Sequence, residues 1–376
     1  MAKAESERMF TQQVVKPKRQ EVLSELEMFF HANREELCCD YVQYFKSLCL
    51  RLKDQQIMGK KGKIGHITFS MLRTQIAEGR STYLVEATDS SWVFDRNPCR
   101  SKYDAEWAFR YLDRLEYELV QGSRNYMGAI TPVELERHVL RESVHFHDYV
   151  ISLIRYAMPQ AAALPEFVEL EKEDLFEVRV GEYLDISEVV YKENTYIPDP
   201  EVVKAWLEEK NEYEYAYAAI RELDLSKGDY SEIDFRFSSF NNCNLSFSSF
   251  EAAVLVGTRW SGCWLEQSDF SHSLIQGADF GECHLVGALF SFTEGNSGRP
   301  NSSWNKPGFL GVNFSGANLT GANFEGASLR GAQFTHAQLD NVNFKGADLT
   351  GAMFSLEQAD VVLLDDNQRK DIIWRT

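Results

Sequence analysis

The chain has 376 residues, 44% of them hydrophobic and 13% aromatic, and a formal net charge of −18 at pH 7. That length predicts one large domain or two to three smaller ones. No apolar run approaches the roughly eighteen residues of a spanning helix, and the start, MAKAESERMF, lacks the apolar stretch of a secretory signal. Seven cysteines without a paired CxxC spacing are typical of reduced thiols, so we expect a cytoplasmic protein with no membrane partner.

The negative charge is unevenly distributed along the chain. Residues 1–163 are close to neutral, whereas residues 164–222 hold 17 acidic and 6 basic side chains and residues 223–364 hold 15 acidic and 7 basic ones. Direct binding of nucleic acid is disfavoured, because phosphate neutralisation needs clustered Lys and Arg. An acidic surface could instead bind a basic surface of another protein, or serve only for solubility.

Residues 1–195 read as a mixed α+β domain. Their apolar periodicity and turn residues predict three helices, two strands joined across Glu78 and Gly79, and a later segment of one or two strands. Thr131, Pro132 and Glu134 suit the start of the third helix as N-cap, first turn and capping box. The predicted helices are 17–53, 103–121 and 131–157, and the predicted strands are 66–75, 80–88 and one or two within 166–192.

The third predicted helix carries the candidate site of the N-terminal domain. Its Glu142 and His145 form one Glu-x-x-His motif, a weak candidate for metal binding. Di-iron carboxylate bundles use this motif twice, and no second copy exists here. A polar surface face with Glu134, His138 and His147 is the favoured interpretation. We also interpret the basic residues Lys60, Lys61 and Lys63 as a solvated turn.

No catalytic or cofactor-binding signature occurs in the sequence. It lacks GxSxG, a P-loop, HExxH and a GxGxxG that follows a strand. We therefore expect no cofactor and lean away from an enzyme. Residues 196–222 are predicted to form an acidic helical connector, with a helix over about 200–222 that covers the first turn of the next domain.

Residues 223–360 keep a five-residue period, which fits neither an α-helix nor a β-strand. Towards the C-terminus it reads GANLT, GANFE, GASLR, GAQFT, with a small residue two positions before each bulky one. This pattern resembles the pentapeptide-repeat family, whose consensus is A(D/N)LXX. The resemblance implies a right-handed quadrilateral β-helix with four repeats, or twenty residues, per coil.

Twenty-residue steps along the sequence agree with the implied coil. They predict an inward stack of six leucines, namely Leu225, Leu245, Leu265, Leu285, Leu319 and Leu339. Phe290 and Phe309 are nineteen residues apart instead of five, so a loop insertion is predicted near 293–306. Cys243, Cys263 and Cys283 are also twenty apart, and we interpret them as small buried hydrophobes in place of a metal or redox ladder.

The insertion is rich in Gly, Ser, Asn and Pro and also holds Arg299, Trp304 and Lys306. Loops on rigid scaffolds often carry function, and aromatic and Arg side chains anchor interfaces. These three residues are therefore candidate binding residues, with a passive insertion as the alternative.

Residues 361–376 should cover the last coil, because an open β-helix end exposes an edge. The apolar residues available for a cap or a dimer contact are Leu363, Leu364, Ile372, Ile373 and Trp374. Dimerisation through such a segment, in a homodimer, is what the family resemblance implies.

The sequence thus favours a non-enzymatic, protein-binding solenoid. By resemblance, it could be a DNA mimic that modulates or protects a type II topoisomerase. The alternatives are an enzyme whose active site lies in the N-terminal domain, with the solenoid as scaffold, and an adaptor or effector protein.

Overall fold

A computed structural model of the chain describes residues 3–196, 198–212, 214–297, 307–308 and 310–376. The fold divides into an N-terminal unit, Met1–Glu193 with Pro300–Gly308, and a C-terminal unit, Asn194–Arg299 with Phe309–Thr376. No helix in the described part of the chain is long and apolar enough to cross a membrane.

The N-terminal unit begins with a long helical segment. Lys3–Phe10 (α1) continues through a π-helical turn, Thr11–Val15, into the 42-residue helix Lys16–Ile57 (α2). Thr131 caps the helix that starts at Pro132 with the predicted capping box, since the Thr131 hydroxyl accepts from Glu134 N and the Glu134 carboxylate accepts from Thr131 N. The remaining helices of this unit are Arg73–Ala77 (α3), Glu106–Ser123 (α4), Pro132–Ala162 (α5) and Pro165–Val168 (α6).

A five-stranded sheet forms the second layer of this unit. Its strands are Ile64–Met71 (β1), Thr82–Thr88 (β2), Cys99–Asp104 (β3), Lys172–Glu182 (β4) and Ser187–Asn194 (β5), in the order β3-β2-β1-β4-β5. β1 pairs antiparallel with β2 and parallel with β4. Helical aromatic residues pack on one face, as the 5.8 Å contact of the Tyr41 and Phe69 rings and the 6.1 Å contact of Tyr83 and Phe109 show. The unit is therefore an α+β sandwich.

The structure corrects two of the predicted elements here. β1 ends at Met71 and α3 follows, so the predicted strand 66–75 is too long. The edge strand β3 precedes α4, which starts at Glu106 and not at residue 103. β3 has the sequence CRSKYD, whose polar residues suit an exposed edge and give no apolar alternation to detect.

The C-terminal unit is a β-solenoid with twenty-residue coils. One ladder of parallel bridges joins Asp224, Asn244, Trp264, His284, Asn318 and Gln338, the residues directly before the six leucines of the inward stack. All six of those leucines are buried. In the next column Phe250, Phe270, Phe290 and Phe324 stack with ring centroids 5.0, 4.8 and 4.9 Å apart, so the coils share one continuous apolar core.

The solenoid begins earlier than the sequence predicts. The helix of the connector is only Pro200–Glu208 (α7), and Ala219–Arg221 (β6) already pairs with Ser239–Asn241 (β7), which pairs in turn with Arg259–Ser261 (β8). The predicted helix over 200–222 is therefore wrong after Glu208. The five-residue steps from Tyr215 to Ile220 to Leu225 explain the difference, because they continue the repeat backwards. α7 contributes Val203 and Leu207 to the solenoid core.

The insertion also starts later than predicted. Glu294 bridges Leu274 and Ser328, and Gly295 N donates to Ser328 O at 2.8 Å, so Thr293–Ser297 stay in the ladder. A Cβ on Gly295 would lie 2.6 Å from Val312 Cγ2, so Gly295 faces the interior of the solenoid. It takes the inward position after Phe290, for which the sequence suggests Phe309. The coil resumes where Asp279 bridges Asn313, and Phe309 lies outside the described residues.

Two glutamines close the C-terminal end of the solenoid. Gln358 Nε2 donates to Phe334 O and Ala337 O, both at 2.7 Å, and Gln368 Nε2 donates to Phe344 O at 2.7 Å and Ala347 O at 2.9 Å. Both glutamines belong to the cap that follows the strand Met353–Ser355 (β9). The cap contains the 3-10 turn Leu356–Gln358, the helix Asp366–Asp371 (α8) and the strand Ile373–Arg375 (β10). β10 pairs parallel with β9. The backbone carbonyl groups at this end of the solenoid thus accept hydrogen bonds from two side-chain amides, although no further coil follows.

Truncation of the leucine stack should destabilise the solenoid strongly. We expect Leu265→Ala to cost about 2–5 kcal/mol in the free energy of unfolding, because coils above and below prevent collapse around the void. Chemical denaturation monitored by circular dichroism measures this cost. Leu265→Met is the volume-conserving control, with an expected cost below about 1.5 kcal/mol, and an equal cost for both variants would contradict the stacked interior.

The cap predicts a second measurable effect. Gln368→Ala should cost about 1–3 kcal/mol, because it leaves buried carbonyl oxygens of the last coil without a donor. Limited proteolysis should then cut the chain within 342–376 sooner than in the wild type. The exposed Gln338→Ala is the matched control, and the same cleavage rate in all three proteins would refute the capping role.

Candidate functional site

Four of the five residues predicted to form a polar surface face on α5 are buried instead, namely Glu134, His138, Glu142 and His147. Glu142 accepts from Arg19 of α2 at 3.1 Å, and His145 Nε2 lies 3.5 Å from the same carboxylate oxygen. Burial, and then the nearby Arg19, lower the pKa of His145. The Glu142–His145 pair is thus part of an ion-pair cluster with an arginine, and no group of His, Cys, Asp and Glu in the described chain has the arrangement of a metal site.

The other polar residues of α5 have separate environments. Glu134 forms an ion pair with Lys3 at 2.7 Å, which with its bonds to Thr131 lowers its pKa to about 2. Tyr83 Oη lies 2.6 Å from His147 Nδ1. His138 is buried with no hydrogen-bond partner for either ring nitrogen among the described residues, and its ring contacts Phe10 at 5.6 Å. These residues do not converge on one site.

The cysteine column lies inside the solenoid. Cys243, Cys263 and Cys283 are buried, and the thiols of Cys263 and Cys283 donate to Phe240 O at 3.3 Å and Trp260 O at 3.0 Å. Burial raises the pKa of Cys283 to about 12. A protonated, buried thiol is a poor nucleophile and metal ligand.

The residues proposed for the inserted loop cannot be placed, because Arg299, Trp304 and Lys306 lie outside the described residues. The residues that follow them, Pro307 and Gly308, belong to the N-terminal unit. Pro307 O accepts from Ser152 Oγ at 3.0 Å, and Gly308 N donates to Glu27 Oε1 at 3.3 Å. Gly308 has φ +75°, and a Cβ there would lie 2.9 Å from Phe30 Cε1, so only glycine fits.

Glu27 organises a buried polar cluster at that contact. Its carboxylate also accepts from Tyr149 Oη at 2.5 Å and lies 2.9 Å from His31 Nε2. Burial opposes ionisation of Glu27, but the bonds from His31, Tyr149 and Gly308 outweigh it and lower the pKa. The carboxylate has partners for both oxygens, so we assign it a structural role at the end of the insertion.

The outward face of the solenoid presents a different kind of site. Trp264, Phe247 and Leu289 are exposed there, and Trp264 is 52% exposed at a ladder position where the other coils carry Asp, Asn, His or Gln. The Trp264 ring is 6.3 Å from the ring of His284 in the next coil. We call this group the Trp264 surface; it comprises Phe247, Glu251, Trp264, Glu266, Asp269, His284 and Leu289.

The Trp264 surface is acidic as well as aromatic. Residues 241–297 contain six acidic side chains and one basic one, Arg259. Elsewhere on the solenoid carboxylates pair with basic residues, as in Arg330–Asp348 at 2.6 Å and Lys345–Glu325 at 3.5 Å. Sequence reasoning missed this surface, although the five-residue register assigns Trp264 to an outward position. An outward Trp among polar residues was the available signal.

At the C-terminal end the predicted cap residues separate into two groups. Ile372 is buried in the solenoid core, Leu364 and Trp374 pack against it, and the Trp374 ring is 6.0 Å from Phe354. Leu363 is 72% exposed and Ile373 is also exposed. Leu356 and Val361 add to the exposed apolar surface of this end.

These features define the class of the C-terminal unit, a β-solenoid with capped ends. Family comparisons name the repeat: "Pentapeptide repeats (8 copies)" matches residues 309–346 and 327–355, and "Pentapeptide repeat region" matches residues 221–290. The C-terminal region, residues 221–355, is therefore a pentapeptide-repeat region, and the N-terminal part matches no family. No curated protein matches the chain.

Several solved structures are similar to the chain over less than half of its length. Full-length QnrB1, a plasmid-mediated fluoroquinolone resistance protein, is 17% identical and covers 43% of this chain and 86% of its own, with a TM-score of 0.25. HetL, a pentapeptide-repeat protein involved in heterocyst differentiation regulation from Nostoc sp. strain PCC 7120, is 21% identical over 43% of this chain and 83% of its own, with a TM-score of 0.21.

Proposed function

We propose that the protein is a non-enzymatic binding protein whose pentapeptide-repeat solenoid, a right-handed quadrilateral β-helix, docks a basic surface of another protein. The observation that carries the proposal is the Trp264 surface. Aromatic side chains supply contact area, while Glu251, Glu266 and Asp269 supply charge complementarity. A tryptophan that is 52% exposed on a rigid solenoid is a suitable anchor, because its scaffold is already ordered before binding.

The partner we propose is a DNA-binding protein in the cytoplasm, with a type II topoisomerase as the particular candidate. A surface that binds DNA is basic, and an acidic solenoid can compete for it. Arg299, Trp304 and Lys306 of the insertion are proposed as additional contacts. Substitution of these three residues tests the insertion and leaves Thr293–Ser297, which belong to the ladder, unchanged.

The enzyme alternative would place its active site in the N-terminal unit. One pocket there, lined by Ile76, Arg80, Glu106, Phe109 and Asp113 among others, has a volume of about 60 Å³. Substrate pockets usually measure roughly 300–1,000 Å³. Glu134, Glu142 and His147 of α5, which could have supplied acid–base chemistry, are instead held by separate partners.

A gyrase supercoiling assay, with and without a quinolone, tests the topoisomerase proposal. We expect the full-length protein to change supercoiling or its inhibition by the drug. The double variant Trp264→Ala, Glu266→Gln should weaken this effect about tenfold or more, because it removes an aromatic anchor and a charge. Added salt should also weaken the effect, since exposed charges are screened.

Gln338→Ala is the matched control, because Gln338 is exposed in the same ladder as Trp264. It should behave like the wild type. If the wild-type protein leaves supercoiling and drug inhibition unchanged, the topoisomerase proposal fails. If the double variant is as active as the wild type, the Trp264 surface is not the binding site.

We further propose a homodimer through the C-terminal end. The support is the exposed apolar group formed by Leu356, Val361, Leu363 and Ile373 beside the short strand β10. Light scattering should give about twice the chain mass of 43.1 kDa. Leu363→Asp should yield the single-chain mass, whereas Leu184→Asp, at an equally exposed leucine in the N-terminal unit, should not. A wild-type monomer would rule out the dimer.

A further inference from the structure

A second surface, independent of the solenoid, lies in the N-terminal unit. The turn between β2 and β3 contains the 3-10 helix Trp92–Phe94, and it leaves Val93 54% exposed and Phe94 83% exposed. Large apolar side chains at the tip of a turn are unfavourable in water unless something covers them. We call residues 89–97 the Phe94 turn.

The Phe94 turn is rigid, because its polar groups bond to each other. Phe94 N donates to Ser91 O at 3.1 Å, Asp95 N donates to Trp92 O at 3.0 Å, and Ser91 N donates to Asp89 Oδ1 at 2.8 Å. The Asp95 carboxylate accepts from Asp89 N at 2.9 Å and from Asn97 N at 2.7 Å. The tip therefore presents Val93 and Phe94 on a turn whose backbone is partly bonded within itself.

Asp95 also forms a buried ion pair with Lys61. Burial opposes ionisation of Asp95, but Lys61 and the two backbone N–H groups outweigh it and lower its pKa. This pairing corrects the interpretation of the Lys60–Lys63 segment as a solvated turn, since Lys61 is a buried structural residue. The exposed cations of the segment are Lys60 and Lys63.

Trp92 forms the base of the turn. It has φ +52°, a conformation that is unfavourable for a bulky residue and persists only where the surroundings impose it. Its ring stacks on His66 at 5.3 Å and lies 5.0 Å from Arg179 Cζ. The sheet therefore holds Trp92 in place, and this unfavourable backbone geometry directs the next two residues outward.

Basic and further apolar residues are connected to the Phe94 turn. Asn97 Nδ2 donates to Lys60 O at 3.1 Å, and Cys99 Sγ donates to Gln55 Oε1 at 3.0 Å, which joins the turn to the end of α2. The apolar Ile57 and Met58 are exposed at this end of α2. The exposed charges near these bonds are the basic Lys60, Lys63 and Arg96 and the acidic Asp54 and Glu171.

From this arrangement we infer that the Phe94 turn binds the surface of a membrane containing anionic lipids. Phe94 and Val93, with Ile57 and Met58, insert into the interfacial region, and Lys60, Lys63 and Arg96 lie among the headgroups. A lipid surface fits this arrangement, because the exposed apolar side chains are accompanied by the exposed basic residues Lys60, Lys63 and Arg96.

The net charge of −18 does not oppose this binding strongly. At physiological ionic strength the screening length is about 8 Å, so acidic residues farther than this from the lipid surface contribute little. The charge that counts is that of the inserted end. The acidic Asp54 and Glu171 reduce its preference for anionic lipid, so insertion of the apolar tip must supply much of the affinity.

Vesicle co-sedimentation with the full-length protein tests the inference. We expect more binding to vesicles that contain phosphatidylserine than to pure phosphatidylcholine vesicles. Phe94→Ala should reduce partitioning to either kind about tenfold, because it removes the largest inserted side chain. Phe94→Trp should retain binding, since Trp favours the interface. The triple variant of Lys60, Lys63 and Arg96 to Gln should remove the preference for phosphatidylserine.

Ile186→Ala is the control for loss of exposed apolar area, because Ile186 is 82% exposed in the turn between β4 and β5. It should sediment like the wild type, and circular dichroism verifies that all variants are folded. The inference is overturned if the wild-type protein stays in the supernatant with both vesicle types, an outcome that would favour a protein partner for the turn. It is equally overturned if Phe94→Ala and Ile186→Ala have the same effect.

Discussion

The structure of the C-terminal unit depends on one constraint, the in-register stacking of twenty-residue coils. Each inward side chain lies against the equivalent side chain of the next coil, as the phenylalanine rings 4.8–5.0 Å apart show. Backbone bridges between the same positions fix the register. The stack cannot end without unpaired groups, so α7 covers one end and Gln358 and Gln368 supply donors at the other.

Because the ladder determines the inward residues, the outward residues can vary at little cost to the fold. Function is therefore expected where an outward residue departs from the common Asn, Ser, Asp and Gln. Trp264, with His284 and the surrounding carboxylates, is such a departure. The N-terminal unit follows a related logic, since an internally bonded turn with an unfavourable φ at Trp92 presents Phe94 to solvent.

The solenoid could be predicted from sequence because every coil repeats one geometry, so the period and the leucine column are visible in the residues. The sequence predictions are wrong where a side chain does not show its position in the coil. Gly295 occupies an inward position without a bulky side chain, and Tyr215 and Ile220 lie in an acidic stretch that reads as helix. The outward position of Trp264 follows from the five-residue register. The exposure of Phe94 and the Lys61–Asp95 ion pair, which joins distant residues, are not encoded in a local pattern.

One ladder continues across the insertion, and hydrogen–deuterium exchange with mass spectrometry measures whether its two sides are protected as a single unit. Gly295 N bonds to Ser328 O and Phe280 N bonds to Asn313 O, so amides on both sides of the insertion belong to the same ladder. The account predicts that peptides from 219–297 and 312–355 exchange slowly and lose protection together as denaturant is added. Two blocks that lose protection separately, or fast exchange over Thr293–Ser297, would contradict it.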